Sequence, residues 1–252
     1  MDFATKRVLI TGSTRGIGQA LARRFIAEGA IVTINGRSGD AVDASIKAIG
    51  HTDRLRAAPG DVSSAAGCER VVSQALEALG GLDILINNVG TYPIASIEDT
   101  DEALWDTTLD TNVKSAFFCS RAALPALRQS RGVIINHSSI AGLMGFANIA
   151  AYCTAKAALA NLTRSMAMEL APEVRVNCVC PTTVDNEMGW QSFNRTDDPQ
   201  AAYEAFAAGS KMKRLPTNED VVEAFVFLAS DRAGFMTGVA LPVDGGQSAR
   251  IG

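Results

Sequence analysis

Residues 8–21 read VLITGSTRGIGQAL, a short β-branched run that breaks into three glycines and then turns helical. The run Arg7 to Thr11 predicts a buried strand, and the apolar spacing from Gly16 to Glu28 predicts a helix. A strand that feeds a helix through Gly12-Ser-Thr-Arg15-Gly16-Ile-Gly18 gathers backbone N–H groups and the positive end of a helix dipole at one spot. Such a spot binds a pyrophosphate. The spacing is Gly-x3-Gly-x-Gly and differs from the Gly-x-Gly-x2-Gly of the common dinucleotide fingerprint. A tight turn whose glycines serve packing alone is the plainer alternative.

Outward from this turn the same alternation repeats. Apolar runs Ile31 to Asn35, Leu55 to Ala58, Leu82 to Asn87, Gly132 to His137, Arg175 to Cys180 and Val239 to Val243 are separated by helical patterns. The helices expected are Ala65 to Leu79, Glu102 to Leu127, Ala150 to Leu170 and Glu219 to Leu228. Seven strands alternating with helices predict a doubly wound α/β fold, a parallel sheet covered by helices on both faces. Ser63, Thr100 followed by Asp101 and Glu102, and Thr217 with Asp220 three residues on mark helix starts. The acidic run Glu98 to Glu102 is then ordinary helix-dipole chemistry.

At 252 residues, with no repeat, low-complexity tract or linker, the chain is expected to be a single domain over 1–252. One break is too long for a simple connection, Thr182 to Lys213, which carries Trp190, Phe193, Tyr203 and Phe206 and reads as a substrate loop or lid. The composition is 47% hydrophobic and 20% charged, and 23 basic against 27 acidic residues leave a formal charge of −4, which argues against nucleic acid as a partner. No stretch has the apolar length to span a bilayer, and the N-terminus lacks a signal-peptide pattern. Cys68, Cys119, Cys153, Cys178 and Cys180 show no metal-ligand pairs and no Cys-x-x-Cys motif. A reducing cytoplasm and no bound metal are expected. Cys178 and Cys180 alternate within a strand and read as core residues on one side of it.

The second strand ends Ile34-Asn35-Gly36-Arg37, where many nucleotide-binding folds carry an acidic residue for the ribose hydroxyls. Arginine there suits a 2′-phosphate instead, and Arg15 within the glycine turn adds a second positive charge. NADP is therefore expected in preference to NAD. A solvated surface charge is the alternative reading of each arginine.

Tyr152 and Lys156 lie four apart and share a helix face, so the ammonium is expected to lower the tyrosine pKa into range for proton transfer. Ser138-Ser139 ends the fifth strand, Asn87-Asn88-Val89-Gly90 ends the fourth, and Asn112 sits mid-helix, a poor place for asparagine. With these motifs in this order, over essentially its whole length, the sequence resembles the short-chain dehydrogenase/reductase family. The resemblance matches the family's glycine turn to Thr11 through Gly18, its Asp-Val to Asp61-Val62, its Asn-Asn-Ala-Gly to Asn87 through Gly90, and its catalytic tetrad to Asn112, Ser139, Tyr152 and Lys156.

The resemblance implies a Rossmann-type sheet of seven parallel strands with cofactor and substrate at their carboxyl ends. It implies Tyr152 as proton donor, Ser139 as the group that positions the carbonyl, Lys156 on the nicotinamide ribose and Asn112 as anchor of a water. It lines the cofactor with Gly12, Thr14, Arg15, Gly16, Ile17, Arg37, Asp61, Val62, Asn88, Gly90, Tyr152, Lys156, Pro181 and Val184, and it implies a homotetramer. Three positions depart from the family pattern: Thr182 in place of glycine, Asn186 in place of the threonine near the nicotinamide amide, and Val89 in place of alanine. Asn186 is expected to keep a hydrogen bond to that amide. His137 is expected to be a packed strand residue.

The expected activity is hydride transfer between NADP(H) and a ketone or secondary alcohol, working as a reductase. The resemblance is close both to 3-oxoacyl-thioester reductases and to sugar or polyol dehydrogenases. An NAD-dependent sugar, polyol or alcohol dehydrogenase is the alternative, and a non-catalytic cofactor-bound sensor or assembly protein the remote one. Thr91, Tyr92, Met144, Phe146, Thr182, Met188 and Trp190 are candidates for the substrate pocket, with packing of a lid or a subunit contact as the other reading of the aromatics.

Overall fold

Seven strands pair side by side, all parallel, in the order β3-β2-β1-β4-β5-β6-β7. They are β1 (Arg7–Ile10), β2 (Ile31–Ile34), β3 (Leu55–Ala57), β4 (Ile84–Asn87), β5 (Val133–His137), β6 (Arg175–Pro181) and β7 (Ala240–Val243). The structure, a computed structural model, describes residues 3–249. Because successive side chains leave a strand on opposite faces, the core falls into two layers. Val8, Ile10, Ile84, Ile86, Val133 and Ile135 enter one, and Leu9, Leu85 and Ile134 the other.

The first layer is covered by α1 (Gly16–Ala27), α2 (Gly39–Ile49) and α9 (Asn218–Ala229), through Leu21, Phe25, Val42, Val221 and Phe225. The second is covered by α3 (Ala65–Leu79), α5 (Ser115–Ser130) and α6 (Ala150–Leu170), through Cys68, Val71, Cys119, Ala123, Leu127, Ala167 and Leu170. Each fully buried leucine, isoleucine or phenylalanine stabilises this packing by about 1.5–3 kcal/mol. Cys178 and Cys180 point to the same side of β6, their sulfurs 3.8 Å apart, and pack against Ala160 of α6. The chain winds one way through β1 to β3 and the other way from β4 onward. The switch falls between β1 and β4, where open α/β sheets bind their ligands.

The helices differ from the sequence expectation in four places. First, α2 was not expected, although Val42, Ile46 and Ile49 give it an inward stripe and the Ser38 side chain caps it by accepting from the Ala41 N–H. Second, Ser64 rather than Ser63 caps α3, and Asp101 rather than Thr100 caps the helix at Glu102. Thr100 instead donates its hydroxyl to the Ser96 carbonyl at 2.6 Å. At Thr217 the reciprocal capping box with Asp220 forms as its spacing predicts.

Third, the continuous helix expected over Glu102 to Leu127 is broken. It consists of α4 (Glu102–Leu109), a π-helical turn over Asp110–Lys114, and α5. The Asn112 side-chain amide donates to the Thr108 carbonyl at 2.9 Å, one turn back, and to the Thr91 carbonyl at 3.1 Å. An asparagine that takes carbonyls in this way competes with the backbone ladder, and the π-turn absorbs the conflict.

Fourth, the long break over 182–213 contains two helices, α7 (Glu187–Phe193) and α8 (Pro199–Gly209). Phe193, Ala207 and Leu215 are buried there under Trp190, Tyr203 and Phe206 as a small apolar cluster of their own.

A buried polar chain ties the centre of the sheet to the helices beneath it. Asn87 donates to Asn136 at 2.9 Å and to Ser120 at 3.0 Å, and Asn136 donates to Thr163 at 2.9 Å. Replacing Asn136 by Ala removes two buried hydrogen bonds, leaving Asn87 with its bond to Ser120 and Thr163 with its bond to the Leu159 carbonyl. The expected loss is about 2 kcal/mol of unfolding free energy, read from the shift of the urea midpoint at unchanged slope; a shift within error would show that the chain contributes nothing to stability.

Candidate active site

The site is assembled where β1, β4, β5 and β6 end. The glycine turn after β1 is shaped by its neighbours: Gly12 has φ +63°, and a Cβ there would lie 2.8 Å from the Val89 side chain. A Cβ on Gly18 would lie 2.4 Å from the Gly12 carbonyl. Packing thus requires both glycines. Gly16 is different, because with φ +55° a Cβ there would meet nothing within 4 Å. It faces open space at the start of α1, a helix with no side-chain cap and no acidic residue in its first turn. Its free N–H groups and dipole form a cradle for an anion, so the residues present fit the pyrophosphate of a dinucleotide.

Asn88 does more here than line a surface. Its side-chain amide donates to the Thr11 and Gly12 carbonyls at 3.0 and 2.9 Å, and its carbonyl oxygen lies 2.9 Å from His137 Nδ1. From the other flank Asn35 accepts the Gly12 N–H at 3.1 Å and donates to the Ala58 and Gly60 carbonyls. Val62 is buried beside this framework, and Asp61, exposed, accepts the Ser63 N–H at 2.9 Å. Ile17 and Val184 are also buried, packed into the first core layer. Thr14 packs against Gly36, where a Cβ would approach its methyl group to 2.5 Å.

Arg37 is exposed just past β2, and no carboxylate stands at that strand's end. Arg15 is also exposed, and it pairs with Glu187 in the first turn of α7 at 2.9 Å. That pairing was invisible in the sequence. An exposed pair of this kind is worth at most about 1 kcal/mol, so a phosphate can displace it.

The structure brings Asn112, Ser139, Tyr152 and Lys156 into one cleft. Tyr152 stands beside Ser139, whose hydroxyl donates to the Pro181 carbonyl at 3.3 Å and accepts the Ala141 N–H at 3.1 Å. Lys156 Nζ lies 5.5 Å from the centre of the Tyr152 ring and donates to the His137 carbonyl at 2.7 Å. Gly90 packs between Lys156 and Asn112: a Cβ on it would lie 2.8 Å from Asn112 Oδ1 and 3.4 Å from Lys156 Nζ. Asn112 Oδ1 is a buried acceptor beside Gly90 that lacks a partner among the described residues.

Burial sets the protonation states. The Tyr152 hydroxyl is pushed above the usual tyrosine range by desolvation, against a smaller downward pull from Ser139. This corrects the expectation that Lys156 lowers it. The ammonium sits over the ring rather than at the phenolic oxygen, and it is itself pushed down to about 8 by burial. His137 is pushed down to about 3 by burial and by the charge of Lys156, so it is a neutral side chain, packed edge-on against Phe225.

The positions that depart from the family pattern have structural work. Asn186 caps α7 by accepting the Gly189 N–H at 3.0 Å and donates to Asn218 at 2.8 Å. Its side chain is thus committed to the lid region, contrary to the expected bond to a nicotinamide amide. Thr182 is buried and donates to Gln247, a contact that the sequence did not signal. Val89 fills the space that Gly12 leaves open.

Of the pocket candidates, Tyr92 stands edge-on to Tyr152 with ring centres 4.9 Å apart, and it borders a cavity of about 640 Å³. Thr91 borders a smaller cavity of about 300 Å³ against α4. Met144 and Met188 are exposed, and Phe146 is half-buried. Trp190 belongs to the packing of α7 on α8: it stacks on Tyr203 at 5.3 Å and donates to Asp185 at 2.8 Å. Ser192 and Arg195 of the larger cavity were missed from sequence, since nothing local marks a loop residue as facing a cleft.

Residues 12–248 match the family model described as Enoyl-(Acyl carrier protein) reductase. The chain is 38% identical over 255 residues to meso-2,3-butanediol dehydrogenase of Serratia marcescens, covering 100% of this chain and 98% of that one. It is 34% identical to the NADP-dependent (R)-specific alcohol dehydrogenase of Lentilactobacillus kefiri, covering 97% of each. Among solved structures, a putative short-chain alcohol dehydrogenase from Sinorhizobium meliloti superposes with a TM-score of 0.92 at 34% identity, covering 99% of both chains.

The burial of Lys156 makes a direct prediction. NMR of lysines labelled at Cε is expected to show one side chain titrating near pH 8, absent in Lys156→Met. A full set of normal titrations would show that water reaches Nζ.

Proposed function

The chain belongs to the short-chain dehydrogenase/reductase family, as an oxidoreductase acting on alcohols and ketones, and we propose that it is an NADPH-dependent ketone reductase working through Asn112, Ser139, Tyr152 and Lys156. The observation that carries this reading is geometric: Lys156 Nζ lies 5.5 Å from the Tyr152 ring centre, and Gly90 packs between Lys156 and Asn112 Oδ1. A protonated phenol at neutral pH is a proton donor, which is what carbonyl reduction requires. NADPH, when bound, supplies the hydride. Tyr152 gives its proton to the carbonyl oxygen, and the Ser139 hydroxyl, turning from the Pro181 carbonyl, donates a hydrogen bond to the same oxygen and fixes its position. Lys156 supports the return of a proton to Tyr152, and Asn112 would anchor a water that links Lys156 to solvent for proton resupply. An ammonium pushed down to about 8 exchanges that proton readily near neutral pH.

The preference for NADPH rests on the end of β2. Arg37 would hold the 2′-phosphate, with Arg15 turning to it from Glu187, and the amides of Gly16 and Ile17 would hold the pyrophosphate. The name of the Lentilactobacillus relative agrees with this choice. One observation favours the second reading, an NAD-dependent alcohol or polyol dehydrogenase: Arg15 already has a carboxylate partner. The expected homotetramer is supported by exposed apolar side chains, Phe117 on α5, Met168 on α6 and Phe235 before β7.

Two outcomes test the reading. Tyr152→Phe is expected to lower kcat for ketone reduction by about 10²–10⁴-fold while NADPH still binds; retention of activity sends the proton elsewhere. Arg37→Ala is expected to lower kcat/KM for NADPH by about 10–100-fold and leave that for NADH within a factor of about two. Equal use of both cofactors by the unaltered protein would select the NAD reading.

A further inference from the structure

The cavity of about 640 Å³ beyond Tyr92 carries chemistry that a bare ketone does not use. It opens between the segments that follow β4 and β5 and the end of α7. Tyr92 is its wall toward the reacting centre, with its ring edge-on to Tyr152 and its hydroxyl in contact with Ser192. A backbone bridge between Ala95 and Ile149 joins two of the three segments that line it.

Two charged side chains border this space, Asp99 and Arg195. Asp99 is held in its own turn: its carboxylate accepts from the Ser96 hydroxyl at 2.7 Å, and its N–H donates back to that oxygen at 3.1 Å. Arg195 is the opposite case. Its backbone is anchored by an N–H donated to the Ser192 carbonyl at 3.3 Å, yet among the described residues its guanidinium has no carboxylate, carbonyl or ring partner. Arg195 is exposed at the rim of the cavity, and a guanidinium there presents paired donors that match the oxygens of an anion.

We propose that the substrate carries an anionic group, a carboxylate or sulfonate, on the far side of Tyr92 from its carbonyl, and that Arg195 selects it. The proposal rests on the ketone-reductase reading for where the carbonyl sits. Arg195 is then a specificity-determining residue on α7's trailing end, and Tyr92 sets how far the anion stands from the reacting carbon.

The test uses a series of oxo acids from 4-oxopentanoate to 7-oxooctanoate, each against its methyl ester, with NADPH and the full-length protein. The ratio of kcat/KM, acid over ester, is expected to peak at about tenfold for one chain length, to fall to near one in Arg195→Ala, and to return in part in Arg195→Lys. A ratio near one throughout the series, or a ratio unmoved by Arg195→Ala, overturns the proposal. If no ketone is reduced with either cofactor, the reductase reading fails, and saturation-transfer NMR decides this one without turnover. Contact signals for the 5-hydroxyhexanoate anion that exceed those for 1,5-hexanediol and vanish in Arg195→Ala support it, and equal signals for the two compounds overturn it.

Discussion

Everything at the site depends on how the glycine turn after β1 is held at the point where the sheet reverses its winding. Two asparagines from the flanking strands hold it: Asn88 donates to the carbonyls of Thr11 and Gly12, and Asn35 accepts the Gly12 N–H. The turn cannot rest on side-chain packing alone, because it must leave its amides and the start of α1 open to an anion. Bonding its carbonyls from one side and its N–H from the other fixes the loop and keeps its ligand face clear. Asn88 extends the same brace to His137, and the His137 carbonyl holds Lys156. A single run of contacts therefore links the glycine turn to Lys156, across β1, β4 and β5.

The reacting centre follows a different physical logic, in which burial rather than charge pairing sets proton affinities. Desolvation pushes Tyr152 up and Lys156 and His137 down. In each case it favours the neutral form, as removal of water must. The result is a phenol favoured in its neutral form, a lysine pushed down to about 8 and an uncharged imidazole. The π-turn serves this centre as well, because it leaves Asn112 Oδ1 buried beside Gly90 while the Asn112 amide is anchored on Thr108 and Thr91.

Much of the fold was legible in the chain. The seven strands fall within one or two residues of their apolar runs, and α3 and α6 have the expected bounds. Alternation and helical spacing are local properties, so they survive without any knowledge of neighbours. The unexpected α2 shows the limit: its stripe of Val42, Ile46 and Ile49 is short and interrupted by charge, and only packing under β2 makes it unambiguous. The break in the helix at Asp110–Lys114 was hinted at by an asparagine at mid-helix but not deducible from it. The second carbonyl that holds the Asn112 amide, that of Thr91, lies 21 residues away.

The sequence by itself determined the order of elements, the glycine turn, the lack of a carboxylate at the end of β2, and the face shared by Tyr152 and Lys156. All of these follow from residue type and spacing along one segment. Tertiary structure alone decided that Arg15 meets Glu187, that Asn186 caps a helix, that Tyr152 is raised rather than lowered, and that Arg195 borders a cavity beside the reacting centre. The reason is physical: proton affinity depends on how much water burial removes, and a cleft is bounded by segments distant in sequence, so neither exists until the whole chain has packed.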